Sequence, residues 1–378
     1  MKIYLVGGAV RDQLLGLPVH ERDWVVVGAT TEEMQNAEFQ PADTDFPVFI
    51  HPKTGEEYAL ARTETKTGAG YKGFTTDSRP TITLKQDLAR RDLTINALVE
   101  DESGQLIDYF QGQRDLNTRQ LRHITPAFVE DPVRVLRVAR FAAHLGALDF
   151  KVAPETQALM AQMAQSADLQ NLRPERIWRE MRKALLEPQP SRFFDVLFQC
   201  GALTALIPEL ATAIKENNTD SIPFIALHRV TKQSDTLAVR FATVMYPAAK
   251  AVDSVEAFYS RLRAEKECSD LLDLVVHLGP AFAASADAEA KSLLALLEKA
   301  KAQQHAARFQ DFLLVCEALW PNVAKAALQQ LKLALAGMND IVPNDLLAEG
   351  YQGPELGAEL TQRRVRAITK RVTDITHD

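Results

Sequence analysis

Nothing in this chain approaches the roughly 20 consecutive apolar residues that span a bilayer. The apolar run at its start, Ile3–Val6, is too short for a signal peptide and passes straight into Gly7-Gly8. Cysteine is scarce: Cys200, Cys268 and Cys316 lie far apart, forming neither a disulfide framework nor a zinc-ligand cluster. These absences predict a cytoplasmic enzyme or binding protein with no membrane partner. Positive charge is not in excess either. The net charge of −7 argues against indiscriminate nucleic-acid binding. It leaves room for a nucleic-acid substrate, because local patches matter more than the sum. No period of 20–50 residues repeats, which excludes a solenoid.

What is present fits an ordinary globular protein, with 46% hydrophobic and 25% charged residues. At 378 residues the chain is too long for one core. Residues 1 to about 122 mix short β-type runs with helical patterns. Ile3–Val6, Trp24–Val27, Phe46–His51, Glu57–Arg62, Thr81–Leu84 and Leu106–Tyr109 read as strands. Val10–Leu15 and Asp87–Val99 read as helices, and Thr30-Thr31 before Glu32-Glu33 reads as a capped helix start. From about Phe128 onward helix-period segments follow one another to the end. The expected architecture is a small head of strands and helices on a long helical body. The stretch Thr65–Phe74 carries three glycines and suits either a loop that closes on a substrate or an inert connection.

Glu21-Arg22-Asp23 is the densest chemical signal in the head. In a strand, residues i and i+2 point to one face, so the two carboxylates project side by side. An isolated pair of this kind also fits an exposed strand end with two solvated acids. Here a glycine turn, Gly7-Gly8, precedes it, with Arg11 one helical turn further on. Backbone amides at such a turn can meet phosphate oxygens, and Mg²⁺ between the carboxylates would relieve their repulsion. Glu57 can complete the site from a neighbouring strand, or can be an ordinary strand-end acid. Arg91 offers a phosphate partner. Asp92 and Asn96, at i and i+4, share a helix face and can hydrogen-bond a ribose hydroxyl.

A third element starts at Glu130-Asp131-Pro132. Pro132 suits a first helical turn with acids ahead of it. Arg134, Arg137 and Arg140 recur every three residues and occupy a sector of about 120°. Val135, Val138, Ala139 and Ala142 fall on another face, while Phe141 breaks the stripe. Asp131 and Arg134, one turn apart, can address the Watson–Crick edge of a base: the acid accepts from an exocyclic amine and the guanidinium donates to ring nitrogen or carbonyl. Cytosine and adenine both present that amine.

Gly-Gly-x-Val-Arg-Asp, the E-x-D pair, Arg-Arg-Asp-x-Thr-x-Asn-Ala from Arg90, and Glu-Asp-Pro-x-Arg from Glu130 stand in this order and spacing. They resemble the class II tRNA nucleotidyltransferases, the CCA-adding enzymes. Leu172–Trp178 also looks like that family's helix-turn segment, and a weaker likeness runs on through Gly350–Gly357 and the basic C-terminal helix. The resemblance implies an α+β head with a polymerase β-like palm of mixed sheet and helices, followed by an all-helical neck, body and tail. The expected divisions are 1–125 for the head, 126–210 for a neck with the nucleotide-selecting helix, and 211–378 for body and tail. It implies template-independent addition of CCA to tRNA from CTP and ATP, with Mg²⁺ on Glu21 and Asp23. Nucleotide contacts carry over to Gly8, Arg11, Arg91, Arg137 and Arg140, the base-templating role to Asp131 and Arg134, and the ribose to Asp92. Glu57 matches the third acid. Glu21 stands where the family commonly has Asp, a variant that still binds metal. A monomer or weak homo-oligomer is expected.

One family feature is missing. Many bacterial relatives carry a metal-dependent HD phosphohydrolase segment resembling Arg-Phe-Ala-Thr-x-x-His-Asp-x-Gly-Lys. Here Arg240–Lys250 has Tyr246-Pro247 in place of His-Asp, and neither normally ligates a divalent cation. No phosphohydrolase activity is expected. The rival readings are bacterial poly(A) polymerase, which shares the head but is typically more basic, a CC-only or A-only enzyme, and a non-catalytic RNA-binding relative.

Overall fold

Short strands, the central ones buried on both faces, build the first part of the chain. The structure is a computed structural model and describes residues 1–42, 46–66, 68, 74–216 and 222–373. The chain divides into two compact units, Met1–Pro208 and Glu209–Asp378.

The first unit holds a seven-stranded mixed sheet. Its members are β1 (Lys2–Val6), β2 (Asp23–Val27), β3 (Gln40–Pro41), β4 (Val48–Ile50), β5 (Glu57–Leu60), β8 (Val99–Asp101) and β9 (Leu106–Ile107). Their order is β3-β4-β5-β2-β1-β8-β9. β6 (Thr63–Lys66) and β7 (Phe74–Asp77) form a separate antiparallel hairpin. The predicted loop Thr65–Phe74 falls mainly on residues outside those described.

Successive residues of β2 point to opposite faces and seed two cores. Val25 packs with Val6, Leu84, Leu88 and Val99, while Val26 packs with Met34, Phe49, Tyr58 and Leu60. β2 runs parallel to β5 with Asp23 opposite Glu57. These two acids therefore share the face that carries Val25, and Trp24 stacks on Tyr58 across the other face at 5.4 Å.

Helices α1 (Gly8–Leu14), α2 (Thr31–Asn36), α3 (Leu84–Ala89) and α4 (Gly112–Asn117) complete this part. The capped start at Thr30 is present: its hydroxyl accepts from Glu33 N, and the Glu33 carboxylate accepts from Thr30 N. Two expectations fail. Thr81–Leu84 is not a strand, because Thr83 caps α3 by accepting from Gln86 N. Asp87–Val99 is not one helix: α3 ends at Ala89, a 3₁₀ turn covers Thr94–Asn96, and Val99 opens β8. The Asp92 carboxylate accepts from Leu93 N at 2.8 Å, and Thr94 N donates to Arg122 O, so these donors leave the helical ladder.

Beyond the sheet come α5 (Val133–His144), α6 (Pro154–Ala164), α7 (Ala167–Gln170), α8 (Pro174–Leu185), α9 (Ser191–Gln199) and α10 (Ala202–Leu206). Val135, Val138, Ala139 and Ala142 of α5 are fully buried, and α5 packs on α8 and α9. Among the described residues of the second unit the regular elements are all helices. Its segment Leu237–Ala249 is a helix that holds Tyr246 edge-on to Trp320 at 5.1 Å. Gly353–Thr373 closes the described chain as a long basic helix. Among the described residues no helix is long and apolar enough to cross a membrane.

Candidate active site

The residues singled out from the sequence converge on one cleft of the first unit, about 630 Å³ in volume. Gly8, Arg11, Asp23, Glu57, Arg91, Asp92, Asp131, Arg134 and Arg137 all line it. Glu21 lies at an adjoining cleft together with Asp23 and Glu57. Arg140 lines neither. Its Nε donates to Glu180 at 2.9 Å, so it braces α5 against α8.

Gly7 forms the turn between β1 and α1 at φ +77°, a conformation that L side chains rarely adopt. A Cβ there would stand 3.4 Å from an Arg91 nitrogen. Arg11, only 5% exposed, donates Nε and Nη2 to Asp12 at 2.8 and 3.1 Å and Nη1 to Asn96 at 2.7 Å. Its guanidinium lies over the Phe141 ring, as do those of Arg137 and Arg140. That ring explains the break in the arginine stripe: Phe141 is the apolar platform on which three guanidinium groups rest.

The pair Asp92–Arg137 sets a buried carboxylate against a half-exposed guanidinium. Asp92 Oδ2 accepts from Arg137 Nε and Nη2, both at 2.7 Å, and Oδ1 accepts from Asn96 Nδ2 and Leu93 N. Asp92 and Asn96 thus meet as expected, across a 3₁₀ turn instead of along a helix face. Burial works to raise the Asp92 carboxyl, but Arg137 and these hydrogen bonds hold it well below the usual carboxylate range. The charge of Asp92 in turn raises Arg137.

At the start of α5, Asp131 Oδ1 accepts from Val133 N and Oδ2 from Arg176 Nη2 at 3.2 Å. Arg134 donates to the carbonyls of Ala127 and Arg90, at 2.8 and 2.6 Å. Backbone and neighbouring side chains thus fix both groups before any base arrives. Arg176 stood in the sequence only as part of the Leu172–Trp178 helix-turn segment, with no site role assigned. Arg62, Glu64 and Arg90, which also line the cleft, gave no signal beyond the Arg90-Arg91 doublet. Arg90 joins Glu64 to Asp87 at 3.0 and 2.7 Å, tying the root of the β6–β7 hairpin to α3.

The carboxylates suit a hard cation. Enclosure by protein raises the Asp23 carboxyl, though part of it opens to the cleft; Arg91 opposes this, and the negative charge of Glu21 adds to it. A divalent ion would relieve that strain. Among the described residues no three acidic, histidine or cysteine side chains form a closed metal cluster. Magnesium needs none, because it is commonly held by one or two carboxylates with substrate phosphates and water.

Residues 3–122 match the Poly A polymerase head domain, and residues 149–214 match the probable RNA and SrmB-binding site of polymerase A. A CCA-adding enzyme from Pseudomonas putida is 46% identical over 371 residues, covering 97% of this chain and 98% of that protein. The chain belongs to the CCA-adding enzyme family. A multifunctional CCA protein from Alkalilimnicola ehrlichii is 43% identical over 97% of each chain. The solved complex of a CCA-adding enzyme with ATP shares the fold at a TM-score of 0.71 and 22% identity, covering 97% of this chain and 86% of that one. The Thermotoga maritima CCA-adding enzyme complexed with tRNA shares it at 0.70 and 20%, covering 99% and 91%. A head of mixed sheet and helices before a mostly helical remainder is the fold of those CCA-adding enzymes, and this member of the family is a nucleotidyltransferase.

Proposed function

We propose that this chain adds cytidylate, cytidylate and adenylate in turn to the 3′ end of tRNA, from CTP and ATP, at one site without a nucleic-acid template. The observation that carries the reading is the meeting of Asp23 and Glu57 in register at the mouth of an arginine-lined cleft. The near-full-length likeness to CCA-adding enzymes supplies the substrates.

Glu21 and Asp23 would hold Mg²⁺, which when bound neutralises the triphosphate and lowers the barrier to attack on its α-phosphate. Arg11 and Arg91, beside the Gly7-Gly8 turn, take the triphosphate and the departing pyrophosphate. Glu57 receives the proton of the attacking 3′-hydroxyl. Asp92 acts on the ribose through Asn96, whose amide it orients. Asp131 and Arg134 select bases that carry an exocyclic amine, and Arg137 and Phe141 flank them. Residues 1–125 act as the catalytic head, 126–210 carry the selecting helix, and 211–378 hold tRNA by its backbone, reading shape over sequence. Tyr246 and Pro247 leave the second unit without phosphohydrolase chemistry.

The decisive assay offers tRNA transcripts ending before C74, C75 or A76 to the protein with Mg²⁺, giving CTP and ATP singly and together. Stepwise addition that stops at CCA supports the reading; long A tails on any RNA would sink it. Asp131→Ala with Arg134→Ala should lose preference for CTP over UTP more than turnover. An unchanged preference removes the templating role.

A further inference from the structure

Arg11 does not stand alone at the phosphate end of the cleft. Its partner Asp12 belongs to a chain of alternating charges that leaves the cleft and ends on α8. Asp12 Oδ1 lies 4.0 Å from Nε2 of His144, whose Nδ1 is 2.7 Å from Glu187 Oε2. Arg140 Nη1 stands 3.8 Å from Glu187, and Arg140 Nε binds Glu180. His144 is the last residue of α5, where the helix dipole favours a cation. No motif in the sequence marks it.

The sign of each group decides what His144 does. Arg11 and Asp12 face it from α1, Glu187 from the residues after α8, and Arg140 from the preceding turn of its own helix. With a protonated ring, cations and anions alternate along the whole chain. With a neutral ring, one nitrogen can still donate to Glu187, but the other turns a lone pair toward the Asp12 carboxylate. Asp12 and Glu187 then flank an uncharged ring. Asp12 and Glu187 together hold the imidazole's pKa up to about 9, against the opposing pull of burial and of Arg11. The ring is therefore charged at neutral pH.

Three of the five guanidinium N–H groups of Arg11 are committed to Asp12 and Asn96, which leaves two for an anion in the cleft. Where those two point depends on where Asp12 sits. We propose that His144 is a positioning residue for nucleotide binding: its imidazolium, between Asp12 and Glu187, holds Asp12 so that Arg11 presents its remaining donors to the triphosphate. This rests on the proposed reading that Arg11 takes the triphosphate. The effect falls on phosphate and not on base, so CTP and ATP feel it equally.

The test is steady-state addition to tRNA transcripts by the full chain, with His144→Gln and His144→Lys beside the unsubstituted protein. His144→Gln should raise KM for CTP and for ATP by the same factor, about tenfold, the order of one half-buried ion pair at the 4.0 Å that separates His144 from Asp12. Its kcat should stay within about twofold, and its preference for CTP over UTP should not move. His144→Lys, which returns a cation, should recover most of the lost affinity. With its pKa held up to about 9, the ring keeps its charge through the neutral range, and its effect on nucleotide binding fades as pH rises through about 9. KM of the unsubstituted protein should therefore climb at alkaline pH, and that climb should vanish in His144→Gln. An unchanged KM, a change in base preference, or a lysine variant no better than glutamine overturns the inference. NMR titration of the histidine rings checks the charge separately, and a ring titrating below pH 7 also refutes it. If the unsubstituted protein extends no tRNA, the functional reading fails, while the ring titration still decides the charge of His144.

Discussion

Asp92→Asn looks conservative and should not be. All four hydrogen bonds to the Asp92 carboxylate come from donors: two from Arg137, one from Asn96 and one from Leu93 N. An asparagine has one oxygen and one NH₂, so either orientation sets donor against donor. Removing one partner of a fully buried pair costs about 3–5 kcal/mol. Asp92 is 6% exposed, but the Arg137 side chain keeps 38% of its surface and can turn to water. The expected loss is therefore smaller, about 2–3 kcal/mol at pH 7, from the charged hydrogen bonds forgone. Denaturant unfolding, followed by a probe in the first unit, measures it. The pH dependence has a definite sign. The folded carboxyl is depressed, so its stabilisation is complete above about pH 4, the unfolded value, and is lost as pH falls toward the folded one. The difference between the two proteins should stay flat from pH 7 to 5 and shrink below about 4. A difference under about 1 kcal/mol at pH 7, or one that does not shrink in acid, refutes the account of this pair.

Two further outcomes follow from the site. Asp23→Ala should abolish nucleotide addition, whereas Glu21→Asp should keep most of it, both measured as incorporation into tRNA at fixed Mg²⁺; equal losses would put the two acids on the same footing. Gly7→Ala places a Cβ at φ +77° and 3.4 Å from Arg91, so it should destabilise the first unit by about 1 kcal/mol and weaken nucleotide binding. Unaltered thermal stability and KM would show that the turn tolerates a side chain.

Much of the site was legible because its chemistry is written in short local motifs. Gly7, Arg11, Asp23 and Arg91 needed only a strand, a turn and a helix start to reach one cleft. The register of β2 with β5 was not legible, since nothing local dictates that Asp23 faces Glu57. The break after α3 was missed for a different reason. Asp87–Val99 has helical periodicity, yet its polar groups have better partners: Thr94 N turns to Arg122, far along the chain. His144 could not be found at all. Its meaning comes from Asp12 and Glu187, 132 residues before it and 43 after it. The family resemblance carried a nucleotide contact over to Arg140, which shares a stripe with Arg134 and Arg137. In the structure its Nε donates to Glu180, and it is not among the residues that line the cleft.

Net charge illustrates the same gap between composition and place. The chain carries −7, yet eight arginines and five carboxylates line the main cleft, a local surplus of three positive charges. Clefts walled by low-dielectric protein focus such a field, while the acidic remainder repels unrelated nucleic acid. The arrangement also keeps the arginines in order before substrate arrives. Arg11 is held by Asp12 and Asn96, Arg134 by two carbonyls, and Arg137 by Asp92. Each carboxylate that anchors a guanidinium offsets part of its field but removes the entropy cost of fixing a long side chain. A triphosphate bound as proposed would meet donors already aimed. The cleft therefore trades some of its attraction for anions against geometry, and geometry is what a site that must choose between bases without a template requires.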